Sequence, residues 1–217
     1  MRKIEKIEFS WLGRVCKSSS LQSLSVLLLL LLPTLFCLQF LFSLWIDPFA
    51  TVSWNNPPFI SFVVGVGITS LLALAEEILV RVLLFRFLLQ RLSLIAACLF
   101  SSLIFTVLHL GNDAISSLML FNIFIAGLFL ALLYYLSEGV LIVTLWHFLW
   151  NFLQKDLLGY PVSGQLNPMN SLFSFSSKEG ALFGELGGFE NTFWATAILT
   201  FSLLLIIKEG FFGEKPS

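Results

Sequence analysis

A chain of 217 residues that is 58% hydrophobic and only 12% charged, with mean hydropathy +0.94, is too apolar for a soluble domain, in which about a quarter of residues are charged. Its net charge of −1 excludes the basic field that a nucleic-acid partner requires. Long uncharged runs indicate an all-α, polytopic bundle whose solvent is the lipid bilayer. The three cysteines, Cys16, Cys37 and Cys98, lie far apart without CxxC spacing and read as small apolar residues of the core or the lipid face.

Residues 1–23 form a polar, basic segment, with Arg2, Lys3, Lys6, Arg14 and Lys17 against Glu5 and Glu8. The uncharged run Leu24 to Ile46 follows. It is too long for the apolar region of a signal peptide and has no small-residue cleavage site after it, so it reads as a retained first span. Asp47 to Pro58 reads as a loop, punctuated by Asp47-Pro48 and Asn55-Asn56-Pro57-Pro58, with Trp45 and Trp54 as interface anchors. A second span runs from Phe59 to about Arg91. Its helix would be about 48 Å long against a bilayer core of about 30 Å, so it must tilt, bend at Gly65 or Gly67, or project. Further spans are expected over Ser93 to Leu110, Ile115 to Leu136, Val140 to Gln154 and Thr192 to Ile207, with a polar loop at 155–191 and a charged tail at 208–217. The membrane-embedded domain is thus 24–207, with about six transmembrane helices, or seven or eight if broken and short ones are counted. Basic residues cluster before the first span, at the Arg86–Arg91 turn and after the last span, whereas the opposite loops hold only Lys155 and Lys178. The positive-inside rule then places both termini in the cytoplasm and the protein in the cell membrane.

Ionisable side chains inside such spans are costly, about 2.5–3.5 kcal/mol each near the centre on insertion scales, and so need a reason. In Phe59–Leu89 the charges are Glu76, Glu77, Arg81 and Arg86. Glu77 and Arg81 are four apart with the acid first, the favourable order for a pair on one helix face. Glu76 is rotated about 100° away and is left to face something else. Counted from the turn at Leu92, Glu76 and His109 each lie about 24–26 Å along their helices, at similar depth. His147 and Asn151 share a face of the fifth span. If that helix begins at Gly139, His147 is only about 12 Å from its cytoplasmic turn, and the depths agree only if that turn is sunk into the bilayer. Each group taken alone is compatible with ion pairing or inter-helix hydrogen bonding that merely holds helices together, as expected for Asn122 and Gln39. Together, both histidines of the chain and its only paired in-span carboxylates favour a functional site.

At these residues the sequence resembles the CPBP intramembrane protease family, which contains type II CAAX prenyl endopeptidases and Abi or bacteriocin-immunity proteins. Its EExxxR motif stands as Glu76-Glu77-Ile78-Leu79-Val80-Arg81, FxxxH as Phe105-Thr106-Val107-Leu108-His109, and HxxxN as His147-Phe148-Leu149-Trp150-Asn151. The stretch from Asn122 through Gly127 to Leu128 resembles the family's Gly-containing helix, and Pro161-Val162-Ser163-Gly164 and Gly184-Glu185-Leu186-Gly187-Gly188 resemble a loop of bacterial members. The resemblance covers about 59–205. It implies an endopeptidase that cuts membrane-associated peptides or proteins, prenylated CAAX-type or leader-peptide substrates among them. By the same resemblance Glu76 would activate water held by His109. His147 and Asn151 would stabilise the oxyanion, and Arg81 would orient Glu77. The family is also described as metalloproteases. A zinc ion would then take Glu76, His109 and His147, but HExxH spacing is absent and a metal-free route is preferred here.

Two other classes use similar residues. A non-catalytic partner-binding or immunity protein would keep the polar cluster as structural glue. A proton-coupled transporter would also place Glu, Arg and His in spans, but with two repeated, interrupted halves that this sequence lacks.

Overall fold

The structure, a computed structural model, describes residues 19–46, 51–137, 139–165, 171–176, 188–208 and 210. The basic segment through residue 18, the Asp47-Pro48 turn, residues 184–187 and the tail beyond 210 lie outside the described residues.

The described chain folds as a helical bundle. Helix α1 spans Ser19–Ile46, α2 Phe59–Leu89, α3 Leu94–Leu108, α4 Ser117–Ser137, α5 Val140–Phe152 and α6 Phe193–Ile207. Start signals are local. Ser93 accepts from Ala96 N (3.3 Å), Ser116 from Met119 N (3.1 Å) and Thr192 from Ala195 N (3.1 Å), which satisfies amides that the first turns of α3, α4 and α6 would leave unpaired. Helices α2 and α4 are long and apolar enough to cross a membrane, and Leu29–Phe42, α3 and α6 are shorter apolar helices. Wide apolar flanks face outward, including Ile60, Leu71, Ile95 and Phe193. Such flanks suit lipid better than water.

Helix α4 runs through the middle. Its buried residues include Met119, Asn122, Ile123, Phe129, Leu130 and Tyr134, and it packs against α3, α5 and α6. Close approach to α3 requires small residues. A Cβ added to Gly127 would lie 2.9 Å from Ser102 Cβ, below any ordinary contact distance. Helices in lipid associate through such backbone proximity rather than through the hydrophobic effect.

Three expectations change. The irregularity in α2 is not at Gly65 or Gly67, which sit in regular helix. It is a π-helical stretch, Ile78–Phe85, directly after the paired glutamates. A wider turn of this kind shifts the register of the side chains that follow, Arg81 among them. A second one, Leu153–Leu157, extends α5 past Asn151. Finally, the two regions read as loops contribute strands: Thr51–Trp54 (β1) pairs antiparallel with Phe173–Ser176 (β2), from Thr51 opposite Ser176 to Trp54 opposite Phe173. The strands are four residues each, so their alternation is too short to stand out beside the apolar runs.

At the start of α5, Ser137 and Val140 are buried and the Ser137 hydroxyl donates to Gly139 O at 3.2 Å. The short α5 carries His147 level with the middle of the long α2, where it meets Glu76 and Glu77.

Candidate active site

Helix α2 supplies two carboxylates that diverge. Glu77 and Arg81 are fully buried, with Arg81 Nε 3.0 Å from Glu77 Oε2 across one helical turn. The rest of the guanidinium lies over the Phe105 ring, 4.8 Å from its centroid, a favourable position for a cation on an aromatic face. Glu77 Oε1 also meets His147 Nδ1 at 2.8 Å. Glu76 is turned the other way. Its carboxylate is partly exposed and lies 3.8 Å from His147 Nε2. His147 therefore stands between the two acids, tied to the buried one and facing the accessible one.

His109 caps the end of α3, and its Nδ1 lies 2.7 Å from Phe105 O. A carbonyl oxygen can only accept, so Nδ1 carries the proton and Nε2 is the nitrogen left for chemistry. The same reasoning holds for His147, whose Nδ1 meets a carboxylate already paired with arginine. Phe105 ties these groups together. Its ring packs edge-on against His109 (4.7 Å between centroids) and His147 (6.0 Å) as well as under Arg81. In the sequence it was only the first letter of a motif.

A cavity of about 170 Å³ lies in front of these groups. Glu76, His109 and Asn151 line it, with Leu72, Leu79 and Leu108 as its apolar flank and Asn112, Lys155, Ser163 and Gln165 as its polar rim. His147 lines a second, smaller space of about 20 Å³, which shares Phe105, Asn151 and Ser163 with the first. The structure thus brings Glu76, His109, His147 and Asn151 to one locus from α2, α3 and α5. Asn151 Oδ1 is buried and meets no hydrogen-bond partner among the described residues. Behind the rim, burial pushes the Asp156 carboxyl above the usual carboxylate range, with the Thr69 hydroxyl and the Lys155 ammonium acting in the opposite direction.

Sequence reasoning missed a clamp on this cavity. The turn Val162–Gln165, with Ser163 and Gly164 at positive φ (52° and 77°), forms part of its wall. It is held from two directions. Asn112 Nδ2 donates to Ser163 O, and Ala114 N donates to Gly164 O at 3.0 Å. From the other side, buried Glu190 accepts from Ser163 N (2.6 Å, Oε2) and from Trp150 Nε1 (2.7 Å, Oε1). Asn122, expected to be inter-helix glue, anchors the same corner by donating to Glu190 O (2.8 Å) and Thr192 O (3.0 Å). A lone acidic residue in a polar loop carries no sequence signal of such a role.

The donor types suit zinc, one carboxylate oxygen and two imidazole Nε2 atoms whose Nδ1 positions are held by second partners. Their spacing does not suit it: among the described residues no three His, Cys, Asp or Glu side chains are gathered closely enough to hold a metal ion.

Residues 56–153 match the family described as type II CAAX prenyl endopeptidase Rce1-like. No curated protein matches the chain, and no solved structure does. The matched stretch holds all three motifs and ends before Ser163 and Glu190. The helical core of this chain, from the loop before α2 to the end of α5, is thus similar to the Rce1-like family of type II CAAX prenyl endopeptidases.

Proposed function

We propose that the protein is an intramembrane endopeptidase with about six membrane-spanning helices and cytoplasmic termini, hydrolysing a membrane-associated peptide or protein at the α2–α3–α5 chamber. The observation that carries this reading is that an accessible carboxylate, Glu76, shares one cavity with His109 and Asn151 and lies 3.8 Å from His147 Nε2.

In this reading Glu76 removes a proton from a water molecule held by His109 Nε2 as the water oxygen attacks the scissile carbonyl carbon. Asn151 Nδ2 and protonated His147 Nε2 donate to the oxyanion that forms. Glu76 then returns its proton to the leaving nitrogen, the C–N bond breaks, and the products are a carboxylic acid, which gives up its proton to solvent, and an amine. Glu77 does not touch substrate. Paired with Arg81, it holds the proton on His147 Nδ1 and fixes the ring plane, so that Nε2 faces Glu76. The apolar flank formed by Leu72, Leu79 and Leu108 suits a substrate approached from lipid.

The test is cleavage of a membrane-tethered peptide by purified protein in lipid. Glu76→Gln keeps the size and loses the base, so turnover should fall by about 10²–10⁴, the contribution of general base catalysis, with helical content unchanged by circular dichroism. A chelator should leave wild-type turnover intact. Full activity in both Glu76→Gln and His109→Ala would show that the roles are misassigned, and loss of activity to the chelator with recovery on adding zinc would show that a metal takes part.

A further inference from the structure

Lys155 lines the larger cavity and takes no part in the reaction described above. Among the residues lining that cavity it is the one Lys or Arg, and Glu76 is the one Asp or Glu. The other cation of the chamber, Arg81, is fully buried and paired with Glu77. Lys155 is half-buried in the π-helical stretch Leu153–Leu157, four residues past Asn151. The acid beside it in the chain, Asp156, is buried and turned to the Thr69 hydroxyl. Among the described residues the ion pairs of the chamber join Arg81 to Glu77 and His147 to both glutamates, and none includes Lys155.

An ammonium is a compact point charge with three donors. Attraction between opposite charges strengthens as the local dielectric falls, so at the rim of a cavity with an apolar flank its best complement is a carboxylate. Asn112 and Gln165 stand on the same rim and bring side-chain amides that can donate to such a group. Glu76 repels the same carboxylate. The two fixed charges together therefore set a register, with the acid of a bound chain at Lys155 and its scissile carbonyl at Glu76. Helix geometry gives the spacing. Lys155 follows Asn151 by about one turn and His147 by about two, about 6–12 Å along the axis. An extended chain covers that distance in about two to four residues.

We infer that Lys155 is a specificity-determining residue, which takes a carboxylate of the substrate carried about two to four residues from the scissile bond. An acidic side chain and a free C-terminus supply the same chemistry. The inference rests on the peptidase reading for what happens at the scissile bond, but not for the binding of the carboxylate.

The probes are fluorescent, membrane-tethered peptides with one scissile site mapped by mass spectrometry, offered to the purified protein in lipid. In the first set a single Glu, or Gln in its place, is moved outward residue by residue on either side of the site, in a chain with an amidated C-terminus. In the second set an acid-free chain ends at increasing distance beyond the site, as a free carboxylate or as a carboxamide. Binding and cleavage are both measured. The wild-type protein should prefer a carboxylate to its amide by about 10-fold or more in Kd and in kcat/KM, the size of one hydrogen bond to a charged group, and only at about two to four residues from the site. The set in which the preference arises identifies the source of the carboxylate. Lys155→Arg should keep the preference and Lys155→Gln should abolish it. Lys155→Glu should reverse it in favour of a peptide with Lys in place of Glu. A lysine that merely reaches for water would leave Lys155→Gln as selective as wild type. That result, or a wild-type protein indifferent to carboxylates at every position, overturns the assignment. Should the Lys155 variants fail to fold, the wild-type scan decides alone. Selective binding without cleavage leaves Lys155 in its role and counts against the peptidase reading, whereas cleavage without selectivity does the reverse.

Discussion

Glu190 meets two donors, the Trp150 indole N–H and the Ser163 amide, and only a carboxylate can accept from both at once. Glutamine offers one acceptor and an NH₂ that would confront the second donor, leaving a buried polar group unpaired at a cost of about 1–3 kcal/mol. Glu190→Gln should therefore loosen the Val162–Gln165 wall and raise KM several-fold, with a smaller effect on kcat because Glu76 and His109 are untouched. Adding Trp150→Phe removes one of the competing donors, so the double variant should be less impaired than the two single losses combined. Steady-state kinetics across this double-mutant cycle provide the check, and strictly additive losses would remove Glu190 from the positioning role. At the same scale, Arg81 shows how a motif letter acquires a physical meaning. Its spacing from Glu77 was visible as an i, i+4 pair. The Phe105 ring beneath it comes from another helix and was not visible.

Helix α3 owes its place to α4, and that placement is settled where Ser102 faces Gly127. Gly127→Leu would drive a side chain into the backbone of α3 and force the helices apart, an overpacking cost of about 1–3 kcal/mol or more. Because Phe105 and His109 sit on the same helix one and two turns beyond Ser102, the expected outcome is a lower melting temperature together with reduced turnover. Gly127→Ala should show a milder version of both. Unchanged thermal unfolding in detergent for Gly127→Leu would mean that the helices can separate without strain. The sequence reading had placed α3 and α4 as neighbouring spans, but it offered no reason for a glycine at 127. That reason lies in a contact between residues 25 positions apart. The π-helical stretch Ile78–Phe85 is similar in kind, since no Pro or Gly marks it and only the packed environment of Arg81 does.

At the scale of the molecule, the outward-facing leucines, isoleucines and phenylalanines of α2, α3 and α6 amount to an apolar surface that water would not tolerate. The protein should remain in the membrane pellet after an alkaline carbonate wash and require detergent for release. Immunoblotting of the two fractions tests this, and appearance in the wash supernatant would contradict a lipid-embedded bundle. The helices needed for this were legible in the sequence, because an apolar run of span length has few alternatives once charged residues are so sparse. The β1–β2 pair was not legible, because its strands lie more than a hundred residues apart and are too short for alternation to register.

Local covalent spacing was enough to determine that the chain is a membrane helix bundle, that Glu77 pairs with Arg81, and that Glu76, His109, His147 and Asn151 are the polar groups to watch. A helix fixes which residues share a face within a few turns, so such facts survive without coordinates. Only the tertiary structure decided that His147 sits between the two glutamates and that Glu190 and the Val162–Gln165 turn close the cavity wall. Each of those depends on how far one helix slides along another and on where a polar loop lands. That is a matter of packing between distant residues, about which hydrophobic periodicity is silent.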